Sequence, residues 1–70
     1  MEQYYLNRNA QPTGEHEVHK SGCVMMPEKE NCIYLGLFNN AIEAVEAAKR
    51  MYSNAIIDGC YYCSKEAHRR

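Results

Sequence analysis

The sequence has no apolar run approaching the roughly 18 residues that a membrane-spanning helix needs, and its mean hydropathy is −0.62. A role inside a lipid bilayer is therefore not expected. An excess of charge of one sign is also missing. The formal net charge is −1, so no global field draws the chain to nucleic acid or to anionic lipid. The first residues, Met1-Glu2-Gln3-Tyr4-Tyr5-Leu6-Asn7-Arg8, carry neither the basic segment nor the apolar core of a secretory leader. The expected compartment is accordingly the reducing cytoplasm. Internal repeats and low-complexity segments are absent. Length is short as well: 70 residues make one domain, residues 1–70, which buries a modest share of its surface. Domains of this size commonly add disulfides, a metal or oligomerisation. A hydrophobic content of 46% argues against a disordered chain.

What is present reads as an α+β arrangement. Tyr4, Tyr5 and Leu6 form a short β-prone run. Pro12, Thr13 and Gly14 supply turn chemistry, and Glu15 to Lys20 reads as a second strand, completing a hairpin. On that strand Glu15, Glu17 and His19 share one face, with His16 and Val18 on the other. Ser21-Gly22-Cys23 is a tight turn. Val24 to Asn31 reads as a loop whose Val and Met side chains tuck inward, with a solvated Glu28-Lys29-Glu30 run. Cys32 to Phe38 is the strongest strand. Asn39 and Asn40 are suited to capping a helix. From Ala41 to about Tyr52 the spacing turns helical, with Ile42, Val45, Ala48 (or the Lys49 stem) and Tyr52 as the inward stripe. Ala55-Ile56-Ile57 reads as an apolar linker and Asp58-Gly59 as a turn. The expected ordered core spans about 3–64, and 65–70 is a basic C-terminal tail, either one helical turn or a frayed end. The predicted architecture is a small antiparallel sheet of about three strands packed on one helix.

Three histidines and four cysteines carry most of the chemistry. In a reducing compartment, four cysteines point to metal binding or catalysis more than to disulfides. His19-x3-Cys23 and Cys60-x2-Cys63 form two short-spaced pairs of nitrogen and sulfur donors, the pattern of a structural tetrahedral Zn²⁺ site. Two cysteines three apart on a tight turn aim both sulfurs at one ion while backbone N–H groups bond to the thiolates, and Gly59 admits the chain to such a turn. Cys32, His68 and His16 are alternate donors. Cys32 reads as a small buried hydrophobe at the start of a strand. His68 follows Cys63 by five positions, and His16 sits on the strand face opposite His19. Glu17 lies within His16-Glu17-Val18-His19, whose spacing is one short of the H-E-x-x-H helix of zinc proteases. No catalytic residue is assigned.

The order His-x3-Cys, strand, Phe38-Asn39-Asn40-Ala41-x-Glu43-Ala44 helix and Gly59-Cys60-x2-Cys63 resembles the Ada-like zinc-binding module of DNA repair. It is also similar to related modules appended to some nucleases and secreted bacterial proteins. The likeness covers roughly Val18 to Ser64. It implies the ligand set His19, Cys23, Cys60 and Cys63. Ada itself uses four cysteines, one of which accepts a methyl group. This chain has His19 at the first position, and Gly59 in place of the proline usual before the last pair. The Tyr-Tyr-x-Asn start and Glu15-His16-Glu17-Val18-His19 also resemble small bacterial proteins to which no function is assigned.

The sequence thus predicts a cytoplasmic, non-enzymatic binding or adaptor module with a structural Zn²⁺ and a protein partner. One alternative is an Ada-like nucleic-acid-binding module, in which some of the six tyrosines serve as stacking platforms. Tyr34 and Tyr52 are expected in the core. The other alternative is a thiol-redox or disulfide-stabilised protein. The chain is expected to be monomeric, or a weak homodimer if Met25, Met26, Ile56 and Ile57 are exposed together.

Overall fold

A computed structural model describes residues 1–69. The chain runs β1 (Glu2–Asn7), β2 (Glu15–Lys20), a 3-10 turn at Lys29–Asn31, β3 (Cys32–Phe38), α1 (Ala41–Met51), β4 (Ile56–Gly59) and a second 3-10 turn at Lys65–Ala67. It is an α+β fold with one sheet and one helix, as the pattern of elements predicts.

The sheet has four strands in the order β3-β1-β2-β4. β1 pairs antiparallel with β2, with Tyr5 opposite His19 and Leu6 opposite Val18, and antiparallel with β3 on its other side. β4 pairs parallel with β2, with Ile57 beside His16 and Gly59 beside Val18. The sheet is thus close to the expected antiparallel one of about three strands, with a fourth strand added in parallel beside β2. Parallel neighbours need a crossover connection. α1 provides it, leaving the β3 edge, crossing the sheet and delivering β4 to the opposite edge. The residues read as a linker and a turn are thus a short strand in which Ile57 and Asp58 are buried.

Helix α1 starts where the asparagines predicted. The Asn40 side chain accepts from the Glu43 N–H at 2.9 Å, and Glu43 reaches back to the Asn39 N–H at 3.2 Å. These bonds satisfy donors that have no partner within the helix. The buried face is Ala41, Ala44, Val45, Ala47 and Ala48, while Ile42 is 45% exposed. The predicted stripe is therefore rotated toward the alanines, whose small side chains let the helix lie close on the sheet. Tyr4, Leu6, Val18, Val45, Ile57 and Ala67 share the core with them.

Of the two forms expected for the C-terminal residues, the structure has a single helical turn, at Lys65–Ala67, and it is packed. Ser64 is fully buried and Ala67 nearly so. Glu66 accepts from the Ala41 N–H at 3.0 Å, and this bond draws its carboxyl below the ordinary range. The Asp58 carboxylate accepts from the Arg69 N–H at 2.8 Å. Arg70, which the sequence reading placed in the tail, lies outside the described residues. Val24 and Met25 point outward rather than inward. Ile57 is buried while Ile56 is exposed, so the four-residue patch imagined for a homodimer does not form. Tyr34 is half exposed, resting against Tyr5 with ring centroids 5.3 Å apart.

Candidate metal centre

β2 sits between β1 and β4, and its C-terminal end carries His19, which is 1% exposed. The chain then reverses at Ser21-Gly22. Gly22 holds φ +88°, a backbone conformation in which residues bearing a Cβ are strained. This turn brings Cys23 back over the strand end. On the neighbouring edge β4 runs into Cys60, whose N–H donates to the Val18 carbonyl at 2.9 Å. Gly59 is obligatory by contact, since a Cβ there would meet the Ser64 carbonyl oxygen at 2.6 Å and the Ala67 Cβ at 2.9 Å. The chain folds back at Tyr61 and Tyr62, with the Ser64 N–H donating to the Cys60 carbonyl at 2.8 Å.

These turns bring His19, Cys23, Cys60 and Cys63 together, with their donor atoms all within 4.8 Å of one another. Cys23 Sγ and Cys60 Sγ are 3.8 Å apart, and Cys63 Sγ is 3.9 Å from His19 Nδ1. Two Zn–S bonds of about 2.3 Å at the tetrahedral angle place their sulfurs about 3.8 Å apart. A disulfide requires about 2.05 Å, and all four cysteines are free thiols. The donor set and its spacing therefore fit a tetrahedral ion.

Backbone amides surround the sulfurs. Lys20 N–H donates to Cys63 Sγ at 3.2 Å and Met25 N–H to Cys23 Sγ at 3.4 Å. Cys60 Sγ accepts from the N–H groups of Cys63 and Tyr62. Cys23 and Cys60 thus hold the same relation to the residue two positions on. This wrapping turns each sulfur inward and the intervening side chains outward, which is why Val24, Met25, Tyr61 and Tyr62 are exposed. Burial raises the Cys60 and Cys63 thiols above their ordinary pKa and lowers that of His19. Near neutral pH His19 is then uncharged, with a lone pair free to bind metal.

The alternate donors lie elsewhere. Cys32 Sγ faces the Pro27 and Glu28 carbonyls, each at 3.5 Å. His16 Nδ1 is 3.0 Å from the Asn7 carbonyl oxygen. His68 Nδ1 is 2.9 Å from the Gly59 carbonyl oxygen and 3.2 Å from the Asp58 carboxylate. Sequence reasoning gave no role to Asp58, which is 2% exposed and ties the C-terminal turn to β4. Its signal was an acidic residue directly after two isoleucines.

The fold and the cluster define a small α+β domain with a Cys₃His group able to hold a metal ion. Among the described residues no helix is long and apolar enough to cross a membrane. No family model, curated protein or solved structure matches the chain, so the Ada-like resemblance rests on the order of elements and donors.

Proposed function

We propose that the chain is a non-enzymatic zinc-binding module, working in a reducing compartment as a binding or adaptor domain for a protein partner. The convergence of His19, Cys23, Cys60 and Cys63 carries this reading. Three thiols and an imidazole suit zinc. Four protein donors complete a tetrahedral shell and leave no position for the water that a catalytic zinc activates. The ion's role is then to join the end of β2 to the turn after β4.

Elemental mass spectrometry of protein purified without chelator should find one zinc per chain, with Cys32 the only thiol that reacts rapidly. Zinc uptake should also release protons. Burial keeps the Cys60 and Cys63 thiols above the ordinary 9.0, so both are protonated near neutral pH and must ionise to bind. Apparent affinity should fall as pH falls, by about a hundredfold per unit from these two thiols alone, because each displaced proton contributes a factor of ten. His19 titrates below its ordinary 6.5 and adds to the loss only in more acidic solution. Calorimetry in buffers of different ionisation enthalpy measures the released protons. Metal-free protein with native secondary structure, or a Cys60–Cys63 disulfide, would remove the proposal.

One observation favours a second reading, binding of single-stranded nucleic acid. Tyr61 and Tyr62 are 51% and 68% exposed, and the Lys65 ammonium lies 5.4 Å from the Tyr61 ring centroid. Exposed aromatics beside a cation suit base stacking and phosphate contact. The likeness to Ada-like modules adds only analogy. The chain has no tryptophan, so tyrosine emission reports directly on stacking. Single-stranded oligonucleotides should quench it at low salt, and Tyr62→Ala should weaken binding by about tenfold or more. Unchanged emission at low salt rejects this reading.

A further inference from the structure

The cluster uses one ring nitrogen of His19 and leaves the other to be explained. Nδ1 is the nitrogen recorded 3.9 Å from Cys63 Sγ. Nε2 is buried and has no hydrogen-bond partner among the described residues. Its nearest charged neighbour is Glu17 Oε1 at 3.8 Å. Glu17 and His19 are two apart on β2 and share a strand face. The Glu17 oxygen is itself directed, because the Gln11 side-chain amide donates to it at 3.4 Å.

A neutral imidazole has one N–H and one lone pair, and the position of the proton decides which nitrogen can take a metal. With the proton on Nδ1, an N–H points at the Cys63 sulfur and the Nε2 lone pair faces a carboxylate. That arrangement is repulsive on one side and removes His19 from the donor set. With the proton on Nε2, the lone pair points into the cluster and the N–H faces an anion. Glu17 needs to move less than about 1 Å to reach hydrogen-bond distance.

We infer that His19 takes the metal through Nδ1, and that Glu17 is a positioning residue that accepts the Nε2–H and holds that tautomer. The inference rests on the zinc reading above. It gives β2 two tasks: one residue reaches the ion and the residue two positions earlier orients it. Carboxylates behind metal-bound histidines act in this way, and their removal typically costs 10–100-fold in affinity.

The test uses zinc-loaded full chain labelled with ¹⁵N at histidine. Long-range ¹H–¹⁵N spectra should show His19 protonated at Nε2, with Nδ1 shifted by the metal. In competition with a chromophoric chelator, Glu17→Ala should bind zinc 10–100-fold more weakly than the parent chain. Glu17→Gln keeps an acceptor oxygen and should recover most of that loss. Circular dichroism of the zinc-loaded variants identifies any that misfold, and the spectra of the parent chain decide the tautomer without a variant. A proton on Nδ1, or equal zinc affinity in Glu17→Ala, overturns the inference while leaving the metal site intact. Absence of zinc from the parent chain would instead sink the reading on which it rests.

Discussion

Cys60→Ser is expected to abolish stoichiometric zinc binding and, with it, cooperative unfolding near the parent Tm. Cys60 is 1% exposed and its sulfur accepts two backbone N–H groups, so the replacement hydroxyl sits in the same place with the same neighbours. What it lacks is a soft, readily ionised donor. The effect should be large because a domain this small buries only a modest core. Free zinc at a thousand times its dissociation constant stabilises the folded state by about 4 kcal/mol. In a domain this size each kcal/mol moves Tm by roughly 4–8 °C. Loss of metal should therefore lower Tm by roughly 15–30 °C, or leave no folded state at working temperature. Strong chelators should do the same to the parent chain. Cys32→Ser is the control: its sulfur meets only the carbonyls of Pro27 and Glu28, and both zinc content and Tm should hold. If Cys60→Ser keeps one zinc and its Tm, the ligand assignment is wrong.

Gly59→Ala should come next in size, for a steric reason. The added methyl would lie 2.6 Å from the Ser64 carbonyl oxygen and 3.0 Å from the Ala67 carbonyl carbon. Both are backbone atoms and cannot swing aside as a side chain would. Either the turn at Lys65–Ala67 lifts off β4 or β4 separates from β2. Overpacking of this kind costs about 1–3 kcal/mol, or roughly 5–20 °C in Tm. Gly59 directly precedes Cys60, so zinc affinity should fall with stability. Its carbonyl oxygen lies 2.9 Å from His68 Nδ1, so displacement should loosen the ring from Asp58. Differential scanning fluorimetry and chelator competition measure the two losses. An unchanged Tm would mean that the C-terminal turn does not press on β4.

The convergence of His19, Cys23, Cys60 and Cys63 was legible because two short spacings, His-x3-Cys and Cys-x2-Cys, are local and dictate turns. The strong strand at Cys32–Phe38 and the capped helix after Asn40 were legible for the same reason: their signals lie within one element. β4 was not. Ile-Ile-Asp-Gly is too short to show alternation, and its parallel pairing with β2 depends on residues about 40 positions away, which no local pattern encodes. The burial of Ala67 was hidden in the same way, since a lone alanine among Lys65, Glu66 and His68 reads as surface. Ile42 was assigned inward on hydrophobicity. The alanine face won because close approach to the sheet buries more of the whole helix. For Val24 and Met25, bonding of the backbone to sulfur outweighed side-chain burial. The Glu17–His19 relation was visible only as a shared strand face.

The parallel pairing of β2 with β4 has a consequence during synthesis. β2 is an interior strand, yet one of its partners and half of its cluster, from Ile56 to Cys63, are made only after β3 and α1. A ribosome that has released only β1, β2 and β3 presents His19 and Cys23 without their counterparts, and β2 with one side unpaired. The α1 crossover must emerge before that side can close. Hydrogen-bond closure, core completion by Ala67 and assembly of the four-residue cluster therefore fall together, once the segment from Ile56 to Ala67 has emerged. Until that segment is free, the nascent chain holds half of the cluster and an open sheet edge.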